Sequence, residues 1–548
     1  MNNQSNKGGS SFLLQGGILA AAGIIVRLIG LIYRIPLTNT IGDSGMGVYS
    51  TAYAIYNILL LISSYSLPLA VSRLVSAKLS LGQYRNAHRT FVAALMFAAV
   101  VGTAMCAITF FGAEFFADTL MGMPQASYGI RALAPTILIM AFLGVLRGYF
   151  QGHSTMIPTA FSQIAEQIVN AVISVLAGYL LFRMGAGWDA DRGTSGYYSA
   201  ALGAAGGTIG TGAGALTAFL FCLFTYFAYR PRERKMMSRD RHQNLESYQT
   251  LTRTIVLTIV PVLVSSTVYQ ISSLVDQGIF AQYMHGTDYS VIWGVFSNKY
   301  NLMIHVPTAI ASALASSVIP ALSAAVARKN RDEAVRKSAT AIRFSMLIAF
   351  PSTVGLAALA TPIMQLLFRG NTADAARMML VGSSAVLFYS LSTITNSILQ
   401  GIGNIWIPVR NAVLSLALHI VLLAVMLWGF RMGIYGVLFA NIFFSFLMCI
   451  FNNMSISRIL NYRQEVKKTF LAPLFSSAVM GAATWLVYRL FHLLTHSNLL
   501  STLIAILAAV IVYAAVLLLC GGVSEEDLQQ FPKGQALISL AKRTHLLK

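Results

Sequence analysis

The sequence predicts an all-α polytopic membrane protein of about fourteen transmembrane helices, and three observations predict it. Hydrophobic residues fill 56% of the 548 positions and charged residues only 10%, whereas an ordinary soluble domain is about 25% charged. Apolar stretches of roughly 20 residues, enough to cross a bilayer core, recur along the whole chain. Lysine and arginine are divided unevenly between the segments that join them.

In chain order the stretches start near residues 16, 47, 89, 129, 156 and 198, then near 254, 289, 340, 378, 406, 433, 470 and 499. The polar opening MNNQSNKGGSS leads into the first without a small-residue cleavage site, so that stretch is expected to be a retained helix. With both termini placed in the cytoplasm, about 27 of the 38 Lys and Arg fall in cytoplasmic segments and about 7 in outward loops, the bias expected of an inserted protein. The blocks RPRERKMMSRDRH (230–242), ARKNRDEAVRK (327–337) and SRILNYRQEVKK (457–468) share that side. Topology therefore accounts for the net charge of +20, with anionic headgroups as secondary partners. No nucleic-acid motif accompanies it.

Chemistry-bearing motifs are few. Cys106, Cys222, Cys449 and Cys520 show no paired spacing and are expected to be small buried residues. No HExxH, Walker loop or GxSxG elbow occurs, so the reading is of a non-enzyme without metal or cofactor, powered by a gradient if it moves anything uphill.

A duplication organises the chain. YFQGHSTMIP from Tyr149 and ILQGIGNIWIP from Ile398 place Gln-Gly, a short turn and Ile-Pro before a long helix, 249 residues apart at the Gln-Gly pair. SAKLSLGQYRNAHR from Ser76 and SAAVARKNRDEAVRK from Ser323 give 247. Similar offsets imply two six-span lobes of one orientation. The expected division is residues 1–229, a basic hinge-like linker 230–253, a second lobe 254–457, two added spans 458–520 and a cytoplasmic tail 521–548. A monomer suffices for two lobes in one chain.

Four cations stand inside the spans: Arg27, Arg34, Arg73 and Lys299. Arg27 and Arg34 are seven residues apart, nearly two turns, and so share a helix face. A central arginine costs roughly 2.5 to 3.5 kcal/mol on insertion scales and belongs in an aqueous interior. Arg73, near a helix end, can also snorkel. Only two acids, Glu166 and Asp276, lie at similar depth. Two acids cannot neutralise four bases, and an anionic substrate, phosphate or carboxylate, is the expected partner.

The run GIIVRLIGLIYRIPLTNTIGDSGMGVYS, with YSLPLAVSRLVSAKLSLGQYRNA after it, resembles the stage V sporulation protein B and lipid II flippase branches of the multidrug/oligosaccharidyl-lipid/polysaccharide exporter superfamily. The resemblance implies two lobes in a V, alternating access, a polyprenyl-pyrophosphate-linked saccharide as cargo and a bacterial cytoplasmic membrane as location. It sets Arg27, Arg34 and Arg73 beside the flippase's cavity arginines. Asp43 falls in the outer loop, as a turn residue or a functional one. Where such flippases carry Arg and Glu early in span eight, this chain has Lys299 and His305. Sodium-binding relatives pair an Asp in span seven with Asn and Asp in span eleven; here Asp276 and Asn411 are present, but Ser415 replaces the second carboxylate. Asp276, Asn411 and Glu166 are thus the candidates for coupling to Na+ or H+, with membrane potential as the alternative force. Two rivals remain: a multidrug exporter, whose cationic cargo would favour a carboxylate-lined cavity, and a scaffold recruiting envelope-synthesis enzymes, which leaves Arg27 unexplained.

Overall fold

The computed structural model describes residues 18, 19, 21–240, 244–284 and 288–523, with isolated positions 525, 535 and 539. The polar amino terminus and nearly all of the expected tail 521–548 lie outside the described residues. Helices make up 88% of the structure, and no strand occurs among the described residues.

Eleven described helices are long and apolar enough to cross a membrane, or twelve if the pair Thr372–Gly382 and Ala385–Gly401, bent by 53°, is one span. One of them, Ala21–Ser80, runs 60 residues, about 90 Å at 1.5 Å per residue and so several times the hydrocarbon thickness. Gly42 divides it, with φ +74° and ψ 178°, a conformation glycine adopts at little cost. With that stretch divided, and with the helix Tyr248–Tyr283 outside the count, the structure is consistent with about fourteen spans.

Two compact units divide the chain at Gly294/Val295. In the first, α1 (Arg34–Leu60), α2 (Leu67–Ser80), α3 (Tyr84–Phe111), α4 (Ala126–Gly152), α5 (Ile157–Arg192) and α6 (Tyr197–Ser238) are joined by α7 (Tyr248–Tyr283), which packs on α1, α2 and α3. Its core gathers Val71, Val75, Phe91, Tyr149, Cys222 and Ile255. Along α6, Gly206, Gly210 and Gly214 face α5 at every fourth position. A Cβ on each would overlap, in turn, the Ala177 carbonyl, Ser174 and the Glu166 carbonyl. Small residues at this spacing let two helices meet backbone to backbone.

The second unit holds α8 (Asn301–Ala327), α9 (Arg331–Ala358), α10 (Ala360–Leu367), α11 (Thr372–Gly382), α12 (Ala385–Gly401), α13 (Trp406–Ala424), α14 (Ile434–Leu460), α15 (Ala472–Thr495) and α16 (Asn498–Leu519). Leu322, Ile342, Met346, Ile398 and Ile456 centre its core. The duplication is visible in both units. A Cβ on Gly152 would stand 2.9 Å from Val75, and one on Gly401 would stand 3.0 Å from Leu322. The same close crossing is built twice, at the offsets read from the sequence.

Two expectations change. Cys222 and Cys449 are buried, but Cys106 is half-buried and Cys520 exposed. The linker is also not a free hinge, because α6 runs through it to Ser238 and its later residues are stapled to α2 and α3. The Arg85 amide donates to Asp240 Oδ2 at 2.8 Å, the Glu246 amide to Asn86 Oδ1 at 3.1 Å, and Asn86 Nδ2 to the Asn244 carbonyl at 3.1 Å. Lys78 pairs with Glu246, and the Arg89 guanidinium lies 4.4 Å from the Tyr248 ring centre.

Candidate functional site

The helix carrying Arg27 and Arg34 is continuous where its hydrogen bonds can be followed. The Tyr33 amide donates to the Ile29 carbonyl and the Leu37 amide to Tyr33, both at 3.1 Å. Arg27 is exposed and Arg34 half-buried. Around Arg34 stand Tyr33, Tyr49 and Tyr53. The Tyr33 and Tyr49 hydroxyls lie 3.1 Å apart, Tyr53 bonds Thr211, and Thr211 donates to Asn170 Oδ1 at 3.3 Å. A fixed cation is thereby surrounded by neutral phenols. Arg73 is exposed on α2.

Glu166 is engaged elsewhere. Arg147 Nη2 lies 2.7 Å from Glu166 Oε2, and Arg147 Nε donates to Ser162 Oγ at 3.0 Å. Sequence reasoning missed Arg147, which looks like a helix-end charge but is only 7% exposed. Its signal was available: it stands four residues before the Gln-Gly pair that defines the repeat, and a buried position there calls for a partner one helix on. With Glu166 committed to Arg147, neither Arg34 nor Arg73 has a carboxylate partner among the described residues. Asp276 is buried on α7, next to Gln277, whose amide bonds Thr51 on α1.

Asp43, half-buried just after the Gly42 break, begins a stretch that closely meets the short helix Ser290–Val295. Ser44 and Ser290 hydroxyls are 2.6 Å apart. A Cβ on Gly47 would overlap the Ser290 carbonyl, and one on Gly294 the Asp43 carbonyl.

Lys299, Asn411 and His305 belong to the second unit. Lys299 sits on the π-helical turn Phe296–Tyr300 and is 0% exposed. Its ammonium donates to the carbonyls of Arg369 at 2.8 Å and Asn371 at 3.2 Å, tying down the turn between α10 and α11. His305 is exposed, its ring stacked with Tyr389 at 6.3 Å. Asn411 is buried in an amide network: it donates to Asn452 Oδ1 at 2.9 Å, and Asn452 donates to Asn396 Oδ1 at 2.7 Å and Thr395 Oγ1 at 3.1 Å. No group of three or more His, Cys, Asp or Glu able to hold a metal ion occurs among the described residues.

Residues 13–326, more than half of the chain, match the family described as "Polysaccharide biosynthesis protein". The chain belongs to that family. Across 96% of both chains it is 26% identical to an uncharacterized membrane protein, YabM, of Bacillus subtilis. It is 24% identical to the lipid II flippase MurJ of the same organism over 93% of this chain and 95% of that one, and 23% identical to its stage V sporulation protein B over 84% and 86%. Among solved structures, the inward closed lipid II flippase MurJ superposes with TM-score 0.64 at 15% identity, covering 91% of this chain and 97% of that one. An inward-facing multidrug resistance transporter of the MATE family superposes with TM-score 0.63 at 15% identity, covering 80% and 95%. This member of the polysaccharide biosynthesis family is thus a multi-pass membrane protein with the fold of those transporters.

Proposed function

We propose that the chain is an alternating-access flippase that carries a polyprenyl-pyrophosphate-linked saccharide, lipid II or a related envelope precursor, from the cytoplasmic to the outer leaflet. The observation that carries this reading is the charge surplus in the first unit: Arg147 occupies Glu166, while Arg34 and Arg73 have no carboxylate partner among the described residues. Arginine forks suit the pyrophosphate oxygens. The similarity to proteins called lipid II flippase and stage V sporulation protein B supports the same cargo class. In this reading Arg27, Arg34 and Arg73 contact the pyrophosphate, and the phenols around Arg34, of which Tyr33 and Tyr49 are buried, hold its side chain in place. Lys299 holds the α10–α11 turn instead of touching cargo. The duplicated lobes rock about the bound headgroup while the lipid tail stays in the bilayer. A multidrug exporter would want carboxylates where this unit carries cations.

Resetting the cycle needs a force. A cation taken up at Asp276, or the membrane potential at about 2.3 kcal/mol per charge per 100 mV, supplies it. Both termini are placed in the cytoplasm, and a monomer carries out the cycle.

The test is rescue of a bacterium depleted of its own lipid II flippases, scored by growth and by lipid II exposed at the surface, at matched expression. The native chain is expected to rescue, and Arg27→Ala or Arg34→Ala to lower exposure at least tenfold, the loss of about one charge-assisted hydrogen bond. Equal rescue by both variants would remove the arginines from the mechanism. Failure of the native chain would assign it another glycan.

A further inference from the structure

The second unit contains a cleft that the transport reading does not use. It encloses about 770 Å3 between the end of α9, α10, α11 and α15, within the size range of ligand pockets. Its floor is apolar, with Ala376 and Leu380 from α11 facing Ala478 and Ala482 from α15. Its rim carries Arg377, Arg489, Trp485 and Tyr488. The frame is braced: Asn498 Nδ2 donates to the Pro362 carbonyl at 3.1 Å, and the Tyr488 hydroxyl donates to Asn498 Oδ1 at 3.1 Å. Gly481 lets α15 lie against α9, since a Cβ there would overlap Val354.

Trp485, Tyr488 and Arg489 fall in the last turns of α15, before the turn into α16, and Arg377 faces them from α11. Trp and Tyr at the end of a membrane helix mark the headgroup level. The Arg489 guanidinium lies 4.6 Å from the Trp485 ring centre, which holds it over the cleft. Arg377 Nη1 lies 3.6 Å from Asp374 Oδ1, an ion pair longer than a hydrogen bond, while Asp374 Oδ2 accepts from Asn371 Nδ2 at 2.6 Å. Below the rim, back toward the start of α15, the helix exposes Leu474, Phe475 and Val479. Two arginines over an apolar floor, one of them loosely paired with Asp374, at headgroup depth and beside an exposed apolar helix face, complement an amphiphile with an anionic head and acyl tails.

We propose that this cleft binds an anionic phospholipid, its phosphate between Arg377 and Arg489, its glycerol region on the alanine floor and its chains along α15. The site is independent of the cargo proposed above, so either can fail alone. Bound lipid would tie α15 to α11, and so to the turn that Lys299 anchors.

The test uses the full chain in detergent and native mass spectrometry, with phosphatidylglycerol and phosphatidylcholine of identical chains as probes. Phosphatidylglycerol is expected to bind about thirtyfold tighter, roughly fivefold per arginine. The double variant Arg377→Gln/Arg489→Gln should erase that preference, Arg377→Lys/Arg489→Lys should keep part of it, and Ala478→Trp should block binding by filling the floor. A photoreactive phosphatidylglycerol on the native chain, which needs no variant to fold, should label α11 or α15. Equal binding of the two lipids, an unchanged preference in the glutamine variant, labelling elsewhere, or displacement of the lipid by millimolar inorganic phosphate would each overturn the proposal.

Discussion

The two repeats solve one packing problem with different chemistry. Four residues before the Gln-Gly pair the first repeat has Arg147 and the second has Asn396. Arg147 reaches α5 and closes an ion pair with Glu166, supported by Ser162. Asn396 accepts from Asn452, which in turn accepts from Asn411. Both arrangements satisfy buried polar groups, as a low-dielectric interior requires. They differ in what disturbs them: an amide network is indifferent to pH and to potential, whereas an ion pair carries two charges that either one can move. Any charge-driven step at this position therefore belongs to the first repeat.

That contrast sets the largest expected effect. Arg147→Met strands the Glu166 carboxylate and should cost about 3 kcal/mol, the lower end for breaking a buried pair, because Glu166 retains some access. Asn396→Ala, which removes one acceptor from a neutral network, should cost about 1 kcal/mol. Thermal unfolding in detergent ranks them, and Arg147→Met/Glu166→Leu should recover most of the loss. Equal costs for the two single variants would break the contrast.

The next effect comes from how each repeat joins its fifth and sixth helices. In the first unit Gly210 lies against the Ser174 backbone; in the second, Gly436 meets the Leu427 and Met426 side chains at 3.3 Å. Side chains can shift and backbone cannot. Gly210→Ala should therefore cost about 2 kcal/mol and Gly436→Ala less than about 1 kcal/mol, read from the same unfolding curves. A mild Gly210→Ala would show that α5 and α6 can separate without loss.

What the sequence displayed was whatever is written in spacing. The offsets of 247 and 249 residues reappear as the crossings at Val75 and Leu322, and Ile-Gly-Asp marks the break at Gly42. The face shared by Arg27 and Arg34 follows from helical period alone. Arg147 was legible through the repeat and was overlooked because position near a helix end resembles topology. The partners of Lys299 could not be read, since they are backbone carbonyls and a carbonyl leaves no mark in the residue type. Nor could the docking of the linker, because Lys78 and Glu246 are 168 residues apart and nothing local joins them. The placement of α7 with the first unit has the same origin: its contacts with α1, α2 and α3 are long-range, while the repeat assigns only ancestry.

The smallest effect tests a feature the two repeats share. Each holds the segment leaving its last helix: Lys78 pairs with Glu246 and the Arg85 amide donates to Asp240 in the first, and Arg331 and Arg343 hold the Leu460 carbonyl at 3.2 Å and Glu465 at 2.5 Å in the second. These contacts are partly solvated, so each ion pair is worth about 0.5 kcal/mol and global unfolding would hardly register its loss. Local opening would. Glu246→Gln should roughly double the rate at which trypsin cuts after Arg239, while Glu465→Gln leaves that rate unchanged and speeds cleavage near Arg463. In 1 M salt, where the Debye length falls to about 3 Å, the native chain should approach the Glu246→Gln rate. If salt has no effect on the native chain, the staple rests on its amide bonds at Asn86, and Asn86→Ala then becomes the variant that frees the linker.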